Sequence, residues 1–127
     1  MAALYLELGR LAVIGETNCD LFLLEKPAPR NAKGGSQATV FKDGLHLMVP
    51  RVVTRPEVQH ALRAAMLPHV RRIFFGPAEP SRFLCSAEEV YDEAVIESNG
   101  WLLYGAKKPD EPHPWTVTRV FGPEGER

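Results

Sequence analysis

Cysteine is scarce in this chain, and basic charge is balanced by acidic charge. The 127 residues include two cysteines, Cys19 and Cys85, without a C-x-x-C partner or histidines at ligand spacing. This scarcity argues against a structural zinc site and indicates a reduced, intracellular setting. The formal net charge of −1 at pH 7 provides no overall attraction to nucleic acid, so such contacts would depend on local basic patches.

Long apolar runs are also missing. The apolar residues near the N-terminus, 1–14, are interrupted by Glu7 and Arg10, and no basic segment precedes them. This stretch is too short and too polar for a membrane span or a signal peptide. We therefore expect a chain without membrane contact that stays inside the cell. Its length and its 45% content of hydrophobic residues fit one domain, residues 1–127.

Local patterns predict an α+β fold with a small, mostly antiparallel sheet flanked by two or three helices. One helix is expected within residues 1–14. A second is expected over residues 54–67, with Thr54 as the N-cap and Pro68 interrupting the helix. A third is expected over residues 86–99, behind a capping box formed by Ser86 and Glu89.

Strands are expected at residues 20–24, at 101–104 and, as an edge strand, at 115–121. Residues 39–41 and 45–49 flank Asp43-Gly44 and form either a hairpin or one strand with a bulge at Gly44. Residues 27–36 are expected to form a long, exposed and mobile loop. Residues 110–127 are expected to be an extended or partly disordered tail, with the last six residues frayed.

Two segments contain side chains suited to phosphate chemistry. In Lys42-Asp43-Gly44-Leu45-His46, one imidazole lies within an otherwise apolar strand, and further along Asp92 precedes Lys107 and Lys108. An acid can bind a divalent cation while ammonium groups bind the anion that the cation must meet. Taken alone, these residues also fit ordinary roles: a half-buried histidine bonded to a backbone carbonyl, an exposed helical acid and solvated surface lysines.

Arginines give the middle third of the chain a basic bias. The residues concerned are Arg51, Arg55, Arg63, Arg71 and Arg72. At helical spacing they form either a stripe along a phosphate backbone or a solvated face that acids elsewhere balance, and we weigh these interpretations equally. We take Arg51, Arg55 and Arg63 as the candidate nucleic-acid contacts.

Together the two segments resemble the archaeo-eukaryotic primase superfamily. The resemblance is closest to the primase domain of poxvirus-type helicase-primases of large nucleocytoplasmic DNA viruses and to primase-polymerases. Gly44-Leu45-His46 resembles the family's histidine strand, and Leu24-Glu25-Lys26-Pro27 with Pro29-Arg30 resembles the approach to it. Asp92-Glu93-Ala94-Val95, with Asn99, Trp101 and Tyr104, resembles the family's later aspartate motif. The region of resemblance runs from about residue 19 to about residue 109.

The resemblance implies a role for each matching residue. Asp92 would be a catalytic metal ligand for Mg²⁺ or Mn²⁺, and His46 would act at the triphosphate. Lys42, Lys107 and Lys108 would also bind the nucleotide. Relatives in the primase-polymerase branch carry an arginine where Leu102 or Leu103 stands here. The family's carboxylate pair is missing, because the chain contains no Asp-x-Asp.

The resemblance therefore implies the C-terminal portion of a primase catalytic module with an incomplete metal site. The expected activity is template-directed nucleotidyl transfer from NTPs or dNTPs on single-stranded DNA, with a helicase domain or the missing N-terminal primase segment as partner. The expected location is the cytoplasm or a viral replication site. Whether the isolated chain is an enzyme stays open. The alternatives are an inactive nucleotide- or DNA-binding remnant of the fold and a structural interaction domain.

Overall fold

The computed structural model of the chain describes residues 1–12, 19–31, 40–76, 83–98 and 100–127. These residues form the helices α1 (Ala2–Leu11), α2 (Pro56–Phe74), α3 (Ala87–Val90) and α4 (Ala94–Glu97). They also form the strands β1 (Leu21–Glu25), β2 (Arg30–Asn31), β3 (Phe41–Lys42), β4 (Leu45–Met48), β5 (Thr116–Gly122) and β6 (Gly125–Glu126). The predicted α+β class is confirmed.

The chain divides into two compact units, and each unit consists of two chain segments. The helical unit contains Met1–Asn18 and Val52–Trp101, and the sheet unit contains Cys19–Arg51 and Leu102–Arg127. From the sequence we expected one domain. The single domain over residues 1–127 stays a prediction.

In the helical unit, α2 contacts α1, α3 and α4. Leu4 and Leu8 of α1 and Val70 of α2 are buried. The prediction that Thr54 is the N-cap is wrong, because Arg55 occupies that position and Pro56 is the first helical residue. Pro68 does not end the helix. It removes one N–H donor, and the helix continues through it to Phe74.

The capping box at Ser86 is confirmed, but the helix behind it is shorter than predicted. The Ser86 hydroxyl accepts from the Glu89 N–H at 3.2 Å, and the Glu89 carboxylate accepts from the Ser86 N–H at 2.7 Å. After Val90 the helix stops, and a second turn begins at Ala94. Asp92 explains the restart, because its Oδ1 accepts from the Ala94 N–H at 2.9 Å. Such local bonds compete with a continuous helix.

In the sheet unit, four antiparallel strands are ordered β4-β1-β5-β6. Leu21 and Leu24 of the central strand β1 are almost completely buried. The prediction that the 115–121 strand lies at an edge is wrong, because β5 pairs with both β1 and β6. The C-terminal residues are also not frayed. The Arg127 N–H donates to the Val120 carbonyl at 3.0 Å, and its guanidinium lies 3.0 Å from Asp20.

The strands around Asp43-Gly44 pair with other partners than the sequence suggested. β3 pairs with β2 in a separate two-stranded ribbon, and β4 pairs with β1. Both the predicted hairpin and the single bulged strand are therefore wrong. The loop predicted at residues 27–36 contains β2, and the expectation of mobility falls partly on residues 32–36, outside the described residues.

Residues 101–104 form a turn region rather than the predicted strand. The Ala106 N–H donates to the Leu103 carbonyl at 3.0 Å, and Gly105 has φ of 77°. A positive φ at the third turn position is typical of a type II turn and favours glycine. Beyond it, Gly105 and Ala106 exchange backbone hydrogen bonds with Trp115 at 2.8 and 3.0 Å. Within the described ranges, no helix is long and apolar enough to cross a membrane.

Candidate functional site

His46 lies in the sheet unit on β4, opposite Leu24 of β1. Its Nδ1 donates to the Leu102 carbonyl at 3.0 Å, and its ring stacks on Trp115 with 3.9 Å between centroids and 20° between planes. Burial lowers the pKa of His46 below 6.5, the Leu102 hydrogen bond opposes this, and the charge of Lys26 lowers the pKa further. The structure therefore gives His46 the carbonyl-bonded environment that the simpler interpretation expected, beside a cation.

Lys26, which follows β1, is part of an ionic cluster. Its Nζ forms an ion pair with Glu111 and lies 4.8 Å from the centroid of the Trp115 ring. Arg30 Nη1 lies 2.9 Å from Glu111 Oε1. The Glu111 side chain is only 5% exposed, so this carboxylate depends on its two cations for compensation.

Two predicted lysines lie near this ion pair. Burial lowers the pKa of Lys26, and the charges of Arg30, Lys108 and Lys42 lower it further, while Asp43 opposes them. Lys42 stands directly opposite Arg30 in the β2–β3 ribbon, and like charges in that position repel. Lys26, Arg30, Lys42 and Lys108, which we call the basic cluster, thus outnumber the neighbouring carboxylates. Lys107 is exposed beside Lys108.

The site residues predicted from the sequence do not include Lys26, Arg30 or Glu111. A signal for the first two was present, because both belong to the approach segments quoted for the primase resemblance. Glu111 carried no signal, since it lies among prolines and charges that suggested a loose tail. Glu111 pairs with Lys26, which lies 85 positions away in the chain, and such a pairing produces no local sequence pattern.

Asp92 lies in the helical unit, whereas His46 and Lys108 lie in the sheet unit. Their convergence on one surface stays a prediction. Asp92 is exposed, and one carboxylate oxygen already accepts from the Ala94 N–H. Among the residues that the structure describes, no group of three or more His, Cys, Asp or Glu side chains could hold a metal ion. The described donors therefore do not fit a complete Mg²⁺ or Mn²⁺ site, which needs several oxygen ligands.

The three candidate nucleic-acid arginines have different surroundings. Arg63 is only 14% exposed in its side chain. Its guanidinium donates to the Tyr91 carbonyl at 2.8 Å and to the Glu88 carbonyl at 3.2 Å. Arg51 and Arg55 are exposed. Nucleic-acid contact stays a prediction for all three, and the structure gives Arg63 a local structural role as well.

A protein-family model described as the C962R protein N-terminal AEP domain matches residues 4–121. The chain belongs to this family of archaeo-eukaryotic primase domains. The resemblance seen in the sequence is thus confirmed, and the matched part of the primase domain extends beyond the region that the motifs covered.

Two curated viral proteins are similar to this primase-family chain. It is 31% identical over 97 residues to the putative helicase L207/L206 of Acanthamoeba polyphaga mimivirus, covering 76% of this chain and 9% of that protein. It is 29% identical over 111 residues to the putative helicase 022R of Frog virus 3 (isolate Goorha), covering 81% of this chain and 10% of that protein. The chain thus spans about a tenth of each relative's length. No solved structure matches it.

Proposed function

We propose that this chain supplies the triphosphate-binding part of a primase-type nucleotidyltransferase domain. The observation that carries the proposal is the basic cluster, in which Lys26 and Arg30 pair with the buried carboxylate of Glu111 while the charges of Lys42 and Lys108 act on Lys26. An excess of cations at one place is the arrangement that a polyphosphate requires, because each ammonium or guanidinium compensates charge on the phosphoryl oxygens. Membership of the primase family gives that polyphosphate an identity, a nucleoside triphosphate.

Within the cluster the side chains contribute differently. Lys42 and Lys108 are exposed, so their ammonium groups reach a ligand without breaking the ion pairs of Glu111. Lys107 adds a neighbouring charge. His46 lies beside Lys26 and contributes a hydrogen bond once its ring is protonated. Lys26 and Arg30, which pair with Glu111, contribute to the positive electrostatic potential of the sheet unit at this place.

The metal and the template belong to the same proposal. Asp92 would provide one oxygen ligand to Mg²⁺ or Mn²⁺, which would neutralise charge on the triphosphate, and further carboxylates would have to come from elsewhere in the assembled enzyme. We derive no metal-dependent step from the residues of this chain. Single-stranded DNA is the proposed template, with Arg51, Arg55 and Arg63 as candidate contacts. Because both relatives are putative helicases, a helicase domain is the proposed partner.

Nucleotide or DNA binding without catalysis is the second candidate function. Asp92 accepts a hydrogen bond from the Ala94 N–H, and Arg63 donates to two backbone carbonyls. These contacts give both residues a structural role that does not depend on catalysis. This candidate shares the basic cluster with the first and differs from it in lacking phosphodiester synthesis.

Titration of a fluorescent nucleoside triphosphate at fixed low ionic strength tests the proposal. Lys108→Ala should remove a charge-assisted contact of about 1.5–3 kcal/mol and weaken binding roughly ten- to hundredfold. Arg119→Ala is the matched control, because it also removes one exposed cation from the sheet unit. We expect it to change affinity less than about twofold. Equal losses from both variants would show that binding is diffuse electrostatic attraction and would contradict a defined site.

A further inference from the structure

Glu111 is an acid at the centre of a site proposed to bind an anion. Its two carboxylate oxygens lie against Lys26 and Arg30, one cation for each oxygen. Its backbone N–H donates to the Lys108 carbonyl at 3.0 Å, which closes a turn with Pro109 at its second position. One residue thus contacts three members of the basic cluster, two of them through ion pairs and Lys108 through a backbone hydrogen bond.

We propose that Glu111 is the positioning residue of the phosphate site. Its carboxylate holds the ammonium of Lys26 beside the Trp115 ring and fixes the guanidinium of Arg30, while its backbone fixes the turn that presents Lys108. Without it, the repulsion among Lys26, Arg30 and Lys42 would drive these side chains apart into solvent. The inference rests on the proposed function, since it assigns Glu111 a role in triphosphate binding.

Charge alone predicts the opposite effect of removing this acid. A carboxylate close to the basic cluster repels a polyphosphate, so its neutralisation should tighten binding if the cations keep their places. If Glu111 instead holds the cations in place, its neutralisation should weaken binding despite the gain in net positive charge. The sign of the change in affinity therefore distinguishes positioning from simple electrostatics.

The test is nucleoside triphosphate titration of the full chain with Glu111→Gln. We expect roughly tenfold weaker binding, since ordered charge-assisted contacts are lost. The matched control is Asp43→Asn, because Asp43 is exposed and its charge also acts on Lys26. Asparagine can still accept the Gly44 N–H that Asp43 binds at 2.8 Å. This control should bind as tightly as the parent or more tightly. Unchanged or tighter binding by Glu111→Gln would overturn the proposal.

Two further variants separate positioning from a general loss of structure. In a Lys26→Gln background, Glu111→Gln should weaken binding only about twofold, because residues that act through each other are not additive. A tenfold loss in both backgrounds would contradict action through Lys26. Glu111→Asp keeps the negative charge on a side chain that is one methylene shorter. This variant replaces Glu111→Gln in the test if Glu111→Gln does not fold. Positioning predicts weaker binding by Glu111→Asp, and unchanged binding would refute it.

Failure of this inference is distinguishable from failure of the proposed function. If the parent chain does not bind triphosphate at low salt, the proposed function fails. If the parent binds and Lys108→Ala weakens binding while Glu111→Gln does not, the function stands and the role of Glu111 is wrong.

Discussion

The imidazole of His46 is held in one tautomer by its contact with Leu102. A carbonyl oxygen can only accept, so Nδ1 carries the proton and the neutral ring has its lone pair on Nε2. A phosphate oxygen also only accepts. His46 can therefore donate to phosphate from Nε2 only after it takes up a second proton, which burial and Lys26 oppose. At neutral pH the lysines and Arg30 would provide most of the attraction to the ligand.

Stability should depend on pH through the same residue. The pKa of His46 is lowered from 6.5 by burial, so folding favours the neutral ring. Its contribution to stability is full above the ordinary pKa and is lost as the pH falls through the window down to the lowered pKa. We expect the urea midpoint of the parent to fall between about pH 7.5 and pH 5, relative to that of His46→Gln. Glutamine can still donate to Leu102 but does not titrate, so parallel curves for both proteins would contradict the prediction.

Single residues of the proposed site could be named from the sequence where a local pattern marked them. His46 stands out as the one polar side chain in an apolar strand, and Lys42 and Lys108 adjoin recognisable motifs; the structure places all three in the sheet unit. Glu111 was not predictable, because its role depends on pairing with Lys26 across 85 positions. Ion pairs between distant segments depend on the order of the strands in the sheet, and this order could not be predicted from the local sequence patterns.

At the scale of elements, the break between α3 and α4 is a consequence of bonds from outside the helix. Arg63 of α2 donates to the carbonyls of Glu88 and Tyr91. Asp92 then satisfies the first N–H of the next turn. The polar groups at the break are thus bonded without a continuous helix, which is what a buried or half-buried helix end requires.

Arg63→Ala should therefore destabilise the helical unit. The substitution removes two charge-assisted bonds to backbone carbonyls and the ion pair with Glu93, a cost of about 2–3 kcal/mol in the free energy of unfolding. Arg72→Ala, an exposed position on the same helix, should change it by less than about 0.5 kcal/mol. Chemical denaturation of both variants measures this. Similar stabilities would mean that Arg63 is a solvated charge, free for nucleic acid.

Elements with local signals were predicted more accurately than elements defined by their partners. The capping box at Ser86, the strand near residues 20–24 and the first helix are present as expected. The prediction of a hairpin at Asp43-Gly44 was wrong because β3 pairs with β2 and β4 pairs with β1. The edge position of β5 failed for the same reason, since β6 adds to its outer side.

At the scale of the whole molecule, the predicted site residues divide between the two units. His46, Lys42, Lys107 and Lys108 belong to the sheet unit and Asp92 to the helical unit. Both units contain two chain segments, so each crossing between segments passes from one unit to the other. The side chains proposed to bind phosphate thus belong to the sheet unit, whereas the proposed metal ligand Asp92 belongs to the helical unit.

This division predicts binding without synthesis. The 127 residues contain no Asp-x-Asp, and no metal-binding group of three or more acids, histidines or cysteines occurs in the part of the chain that the structure describes. Phosphoryl transfer depends on metal ions that align the reactants and neutralise charge. We therefore expect no template-dependent product from this chain with labelled nucleotides and single-stranded DNA, with Mg²⁺ or Mn²⁺, under conditions where it binds triphosphate. Retained binding in the same preparation is the control for folding. A template-dependent product would instead mean that a complete set of metal ligands exists within these residues.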